Sequence, residues 1–276
     1  MPAITSRQNP IVARFRAVAT GERSDELLLD GVHLVTEAIA AGTRIREAAV
    51  ISGPPGDSDS SGAEDVANIA ERLRRLNVPV ATASAAVMHA LSPVQSASPV
   101  VAIAERPGSA VASRDSRTSR IYGGTPLVLI ALDVQDPGNV GAIVRVAEAG
   151  GASGVVCAGA CADPFGWKAL RGSMGSALRL PLLVHRDPRE AIDEARRRGC
   201  RIVATAPRGG RPLYDADLRG PIAVLIGGEG PGLAASRIDE ADDRITIPMQ
   251  SPVESLNAAV TAALIVYEAR RQRTKE

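Results

Sequence analysis

Apolar residues along the chain fall into two kinds of run, and the two kinds are spread unevenly. Between residues 1 and about 105, short segments of helical spacing, Asn9 to Val18 and Gly31 to Ala41, alternate with strand-like runs at Glu26 to Leu29, Ala48 to Ile51 and Val78 to Ala81. A further α/β unit ends near Ile103. The stretch GPPGDSDSSG, residues 53–62, reads as a mobile loop. From Pro126 onward the pattern is cleaner. Strands are predicted at Leu127–Leu132, Gly154–Cys157, Leu180–Val184, Arg201–Ala206, Ile222–Ile226 and Arg244–Ile247. Helices are predicted at Val140–Ala149, Gly166–Ser176, Pro188–Arg198, Leu233–Ala241 and Leu256–Arg273. Apolar strands alternating with helices imply an α/β fold whose sheet is mostly parallel and covered on both faces.

Between these halves lies RPGSAVASRDSRTSRIYGGT, residues 106–125, rich in Ser, Gly and Arg with little periodicity. That composition suits a linker or an arm that orders on a polyanion. The expected organisation is therefore a small α/β domain over 1–105, a linker over 106–125 and a second domain over 126–276.

Composition narrows the picture only slightly. The 276 residues are 45% hydrophobic, enough for sizeable cores, and contain no signal peptide or membrane-spanning run, so a cytoplasmic protein that meets no membrane is expected. Three cysteines, Cys157, Cys161 and Cys200, offer neither a disulfide framework nor CxxC spacing, and His89 and His185 have no ligand partners nearby in sequence, so no metal is expected. The net charge is +1, but arginines cluster: Arg7, Arg14 and Arg16 precede any acid, and arginine supplies all basic residues except Lys168 and Lys275. Such clusters suit phosphate contacts or simply a solvated surface, and steep salt dependence of RNA binding would mark the former. At 2% aromatics, base stacking cannot be the main binding mode.

In parallel sheets ligands bind beyond the carboxyl ends of strands. Three loops there hold unusual chemistry. The first, after LVLIAL, is Asp133-Val134-Gln135-Asp136-Pro137-Gly138-Asn139, with Gly141 and Arg145 beyond it; Asn139 is a natural cap for the next helix. The second, Gly227-Gly228-Glu229-Gly230-Pro231-Gly232-Leu233, is neither GxGxxG nor a P-loop, and Glu229 would repel a pyrophosphate. A nicotinamide-dependent oxidoreductase is disfavoured for that reason. An acidic loop suits a ligand bearing positive charge, or anchors an arginine. The third runs from Ile247-Pro248-Met249 to Ser255-Leu256-Asn257, a polar elbow between two apolar elements.

These three loops, in this order, resemble the motifs of the SpoU or TrmH-like branch of the SPOUT RNA methyltransferases. The stretch Asp163-Pro164-Phe165 through Lys168, Arg171 and Ser173-Met174-Gly175 is also similar. The likeness covers residues 126–274 strongly. Less sharply, Ser6-Arg7-Gln8-Asn9-Pro10, Asp30-Gly31-Val32 and Glu37-Ala38 resemble the small ribosomal-protein-like α/β domain with which many members grip RNA.

The resemblance implies a SPOUT α/β fold with a trefoil knot, an exception to the usual rule against knots. It implies transfer of a methyl group from S-adenosyl-L-methionine to a ribose 2′-hydroxyl, most simply in 23S ribosomal RNA. A tRNA 2′-O-methyltransferase and a non-catalytic RNA-binding factor are the alternatives, and the intact motif residues argue against the latter. By the same likeness, Thr205, Gly227, Gly228, Glu229, Gly230, Ile247, Met249, Ser255, Leu256 and Asn257 would contact the cofactor. Arg145 would activate or clamp the hydroxyl, Asn139 would support it, Glu229 would hold Arg145, and Ser255 and Asn257 would face the ribose. Arg7, Arg14, Arg145 and Arg171 would meet RNA. Members are usually homodimers, for which Val260, Leu264 and Tyr267 are candidate contacts unless they fill the chain's own core.

Overall fold

The computed structural model describes residues 3–52, 60–96, 98–108, 111–230 and 232–274. Two compact units are present: residues 1–109 together with 165–178, and residues 110–164 together with 179–276.

The first unit holds β1 (Ala3–Ile4), α1 (Pro10–Ala19), β2 (Glu26–Asp30), α2 (Val32–Ala40), β3 (Ile45–Ile51), α3 (Ser60–Arg75), β4 (Val80–Ala83), α4 (Ala85–Leu91) and β5 (Val100–Glu105). Its sheet runs β1-β4-β3-β5-β2, with β5 antiparallel to both neighbours and the other pairs parallel. Asn9 caps α1 by accepting from Ile11 N at 2.9 Å, and Pro10 occupies the first turn where no N–H is needed. Helix α3 was not expected, whereas α4 falls within the α/β unit expected to end near Ile103. Helix α3 follows directly on the loop, most of which (53–59) lies outside the described residues.

All five residues of β2 are buried, although Glu26 and Asp30 are acidic. Buried charge is tolerated only when paired. Asp30 accepts hydrogen bonds from the hydroxyls of Ser92, at 2.6 Å, and Ser98. Glu26 is bound by Arg14 at 2.7 Å, Arg23 at 2.5 Å and Arg46 at 3.1 Å. Burial alone would push the Glu26 carboxyl up; hydrogen bonds from Arg14 and Arg23 outweigh it and hold the group below its ordinary value. Arg14, expected to meet RNA, is thereby committed to Glu26 and also pairs with Glu47 at 2.7 Å. Arg7 remains exposed and donates to Ala86 O at 3.2 Å.

The second unit begins inside the expected linker. Residues 111–121 form α5, and Ile121 is fully buried in the second core, so this stretch is structured. There follow β6 (Leu127–Leu132), α6 (Pro137–Gly150), β7 (Gly154–Ala158), α7 (Trp167–Ser173), α8 (Ser176–Arg179), β8 (Leu182–His185), α9 (Pro188–Arg197), β9 (Arg201–Thr205), β10 (Arg211–Pro212), a 3-10 turn (Leu213–Asp215), β11 (Ile222–Gly227), α10 (Ala235–Asp239), β12 (Asp243–Thr246) and α11 (Ala258–Arg273). Helix α7 and all of α8 but Arg179 belong to the first unit, where α7 packs on β2 and Trp167 joins that core. Gly175 closes this segment with φ +87°; a Cβ there would lie 2.7 Å from Glu37 Cγ.

The second sheet runs β10-β12-β9-β11-β6-β7-β8, and every pairing is parallel. All six residues of β6 are buried, as a strand covered on both faces requires. From β6 the chain steps outward to β7 and β8. From β11, the neighbour of β6, it steps over β9 to β12 on the other side. The carboxyl ends of β6 and β11 thus lie at a topological switch point, where a crevice opens.

Helix α11 packs along α6. Its basic end is structural: Arg273 donates to the carbonyls of Leu218 and Thr125 at 2.9 Å and Gly220 at 2.6 Å, and Arg271 pairs with Glu268 at 2.7 Å. Gly150 sits at the α6–α11 contact, where an added Cβ would fall 2.0 Å from Val266 Cγ1. Alanine is intrinsically better than glycine in a helix by about 1 kcal/mol, but overpacking beside a stiff β-branched side chain costs about 1–3 kcal/mol. Gly150→Ala is therefore expected to lower the urea midpoint of unfolding, and adding Val266→Ala to recover part of the loss. A midpoint raised by Gly150→Ala alone would show that the contact is loose.

Candidate active site

Three loops leave the carboxyl ends of β6, β9 and β11, and the segment 247–257 carries the chain from β12 into α11. A cavity of about 560 Å³ opens among the last three of these. The ten residues expected to touch a cofactor all line it: Thr205, the run Gly227 to Gly230, Ile247, Met249, and Ser255 to Asn257. Arg208, Glu254, Thr261 and Ile265 line it as well and were not foreseen. Its charged lining among the described residues is one cation, Arg208, and two anions, Glu229 and Glu254.

The glycine loop is shaped first by its own backbone. A Cβ on Gly227 would meet Gly232 C and Leu233 N at 2.5 Å, because Gly228 and Gly232 form an antiparallel bridge. Gly230 and Gly232 hold φ of +86° and +66°, which side chains rarely adopt. A Cβ on Gly228 would lie 2.2 Å from the carbonyl oxygen of Asp133. Asp133 itself has φ +56°, its carboxylate accepts from Ala160 N at 2.7 Å, and its N–H donates to Ala158 O at 3.1 Å. It ties the ends of β6 and β7 together and seats the glycine loop. The sequence offered one signal for this role, a lone acid directly after a six-residue apolar strand.

Asn139 does not cap α6. Asp136 does, accepting from Asn139 N at 2.8 Å, and Asn139 stands in the first helical turn with its side chain free for other work. Asn257 caps α11: its Oδ1 accepts from Ala259 N at 2.8 Å and Val260 N at 3.3 Å. With that oxygen occupied, its amide nitrogen donates to Asn139 Oδ1 at 2.9 Å, and the Asn139 nitrogen in turn donates to Glu229 Oε1. An amide has one accepting end and one donating end, so the order of the row is set by the helix cap. The polar elbow therefore caps a helix and also links three motifs.

Arg145 stands apart. It is exposed, lies outside the cavity lining, and among the described residues has no hydrogen-bond or ion-pair partner. The expected Glu229–Arg145 pair is not made. Glu229 is held at the first turn of α6, and Arg145 is six residues further on, about 9 Å along the axis at 1.5 Å per residue. Ser255 is exposed at the cavity's edge, and Arg171 is exposed on α7 in the first unit. Val260, Leu264 and Tyr267 do not fill the chain's own core: Tyr267 is 52% and Val260 47% exposed, with Leu264 half-buried between them.

Comparison with known proteins supplies context. The SpoU rRNA Methylase family matches residues 126–267. A protein of Synechocystis described as an uncharacterized tRNA/rRNA methyltransferase is 32% identical over 98% of this chain and 94% of its own length. The 23S rRNA (guanosine(2553)-2′-O)-methyltransferase RlmP of Bacillus subtilis is 29% identical over 98% of this chain and all of its own. Among solved structures, an AdoMet-bound rRNA methyltransferase from Sinorhizobium meliloti superposes with a TM-score of 0.81 at 28% identity, covering 98% of this chain and 97% of that one. The SpoU methyltransferase AviRb from Streptomyces viridochromogenes, in complex with AdoMet, does so with a TM-score of 0.80 at 29% identity, over 97% and 99%.

The amide row predicts a pH-dependent defect. Asn139→Asp sets two carboxylates against each other where a donor met an acceptor, so Tm should fall by about 2–4 °C at pH 7. Repulsion needs both groups ionised, so the deficit should shrink at pH 4. Thermal melts showing an equal deficit at the two pH values would mean the row carries no charge coupling.

Proposed function

The chain belongs to the SpoU rRNA methylase family, and from that premise we propose that it is an S-adenosyl-L-methionine-dependent RNA methyltransferase acting on a ribose 2′-hydroxyl. The observation that carries this reading is the convergence of the β9, β11 and β12 loops on one cavity with a net lining charge of −1. A sulfonium donor with an ammonium and a carboxylate has net charge +1 and fits that lining, whereas a dinucleotide does not. S-adenosyl-L-methionine supplies, when bound, an electrophilic methyl group. The cavity's mixed walls, Ile245, Ile247 and Leu256 beside the glycine backbone, suit a flat heterocycle that needs both apolar contact and backbone hydrogen bonds.

Arg145 acts on the other reactant. Its guanidinium is exposed and has no partner among the described residues, ready to meet a phosphate and the negative charge that develops on the attacking oxygen. A guanidinium is always charged in proteins and has no lone pair to spare as a base, so a clamp is the better role. Asn139 and Glu229 brace the loops that shape the cavity, and Ser255 and Asn257 present polar groups at its edge. Positioning of this kind accounts for much of the rate in a displacement that needs an in-line approach.

The relative from Bacillus subtilis that aligns along its whole length is a 23S rRNA enzyme, which supports ribosomal RNA as substrate and with it a cytoplasmic place of action. The first unit is read as the RNA-gripping domain, with Arg7 and the Arg171 of α7 as exposed candidates for phosphate contact. A trefoil knot is carried over from the family likeness alone; the end of α11 is anchored by Gln272, which bonds to Ala216 O and Leu218 N, and by Arg273, which bonds to Leu218, Gly220 and Thr125. Homodimer formation is supported by the apolar face of α11. Val260, Leu264 and Tyr267 recur at helical spacing, and Leu264 and Tyr267 line a shallow hollow with Tyr214, which is 63% exposed.

Arg145→Ala is expected to lower methyl transfer from labelled donor to RNA by about a hundredfold or more while donor affinity, measured by calorimetry, stays unchanged. Turnover at the unsubstituted rate would remove the clamp. In sedimentation equilibrium the protein should run as a dimer and Tyr267→Asp as a monomer; two monomers would end the dimer reading.

A further inference from the structure

Two of the three charged side chains of the cavity's described lining, Arg208 and Glu254, pair with each other. Arg208, in the loop after β9, and Glu254, in the segment before α11, meet at 3.6 Å between Nη2 and Oε1. Their side chains are 80% and 82% exposed, and both line the cavity. An ion pair this exposed adds little to folding stability. It is nevertheless carried on anchored backbone. Gly210, two residues past Arg208, donates to Thr246 Oγ1 at 2.9 Å, and a Cβ on it would lie 2.7 Å from Ile245 C. On the other side, Val253 N donates to Gln250 O at 3.0 Å, and Asn257 is locked as the cap of α11.

We propose that Arg208 and Glu254 receive the amino-acid end of the methyl donor, the guanidinium taking the α-carboxylate and the carboxylate taking the α-ammonium. This rests on the reading of the cavity as the donor site and names the subsite within it. An α-amino acid carries its two opposite charges on one carbon, so a complementary site needs two opposite charges side by side. The rim offers them. Exchange costs little, because the pair satisfies itself when the site is empty and each charge regains a partner when it is filled. The pair then selects donors and products that bear the amino acid over nucleosides that lack it.

The test is calorimetry on the full chain with S-adenosylhomocysteine and with 5′-methylthioadenosine, which keeps the nucleoside and sulfur but has no amino acid. Arg208→Gln and Glu254→Gln should each weaken S-adenosylhomocysteine by about tenfold, a charge-assisted bond's share, and leave 5′-methylthioadenosine within twofold. The retained 5′-methylthioadenosine affinity also reports that the cavity is intact. Unchanged S-adenosylhomocysteine affinity, or an equal loss for both ligands, overturns the subsite while leaving the cavity's assignment standing. Failure of the unsubstituted protein to bind either ligand overturns that assignment and the subsite with it.

Discussion

The oxygen of Asn257 is claimed by two backbone N–H groups at the start of α11, and this one constraint propagates through the site. Only the amide nitrogen is left to face outward, so Asn139 must accept, and its own nitrogen must then find an anion, which Glu229 provides. Loops separated by more than a hundred residues in sequence are thereby locked in one order. Asp133 does the same from below, its backbone lying where only glycine at 228 leaves room. The cavity is a by-product of these two ties: the glycine loop cannot move toward β6, and the last helix cannot rotate, without breaking them.

Charge follows the same economy of groups. A crevice at a switch point in a parallel sheet commonly receives phosphates, yet here the glycine loop presents a carboxylate and the lining is net negative. Arg208 is the one cation among the described lining residues, whereas Arg145 lies outside the lining and has no partner among the described residues. On the proposed reading, the net-negative cavity takes a positively charged donor and the exposed Arg145 faces a polyanion.

Much of the second unit could be read from sequence because its strands are covered on both faces. Leu127–Leu132 and Ile222–Ile226 are unbroken apolar runs, each preceded by proline and followed by aspartate or glycine, and the structure departs from those limits by a residue at most. The three motifs were visible as residue types that neither strand nor helix needs. What was not visible depended on contacts. Helix α5 is mostly polar and lacked a clear period, so it resembled a linker until Ile121 found its core. Residues 165–178 read as part of the second half but pack with the first. Arg14 looked like any surface arginine, since nothing local in sequence shows that Glu26 and Glu47 lie beside it. Asn139 was misplaced by three residues as a cap because Asp136, before a proline at the first helical position, is an equally good one.

Helix α11 supplies a wall of the cavity through Ala258, Thr261 and Ile265, and its cap orders the amide row. Synthesis runs from the amino terminus, and domains fold as units once their parts have emerged. Strands β6 to β11 can pair before then, but the ligand chamber lacks the wall of Ala258, Thr261 and Ile265 until α11 is in place. A nascent chain thus completes its sheet before it completes the walls of the chamber.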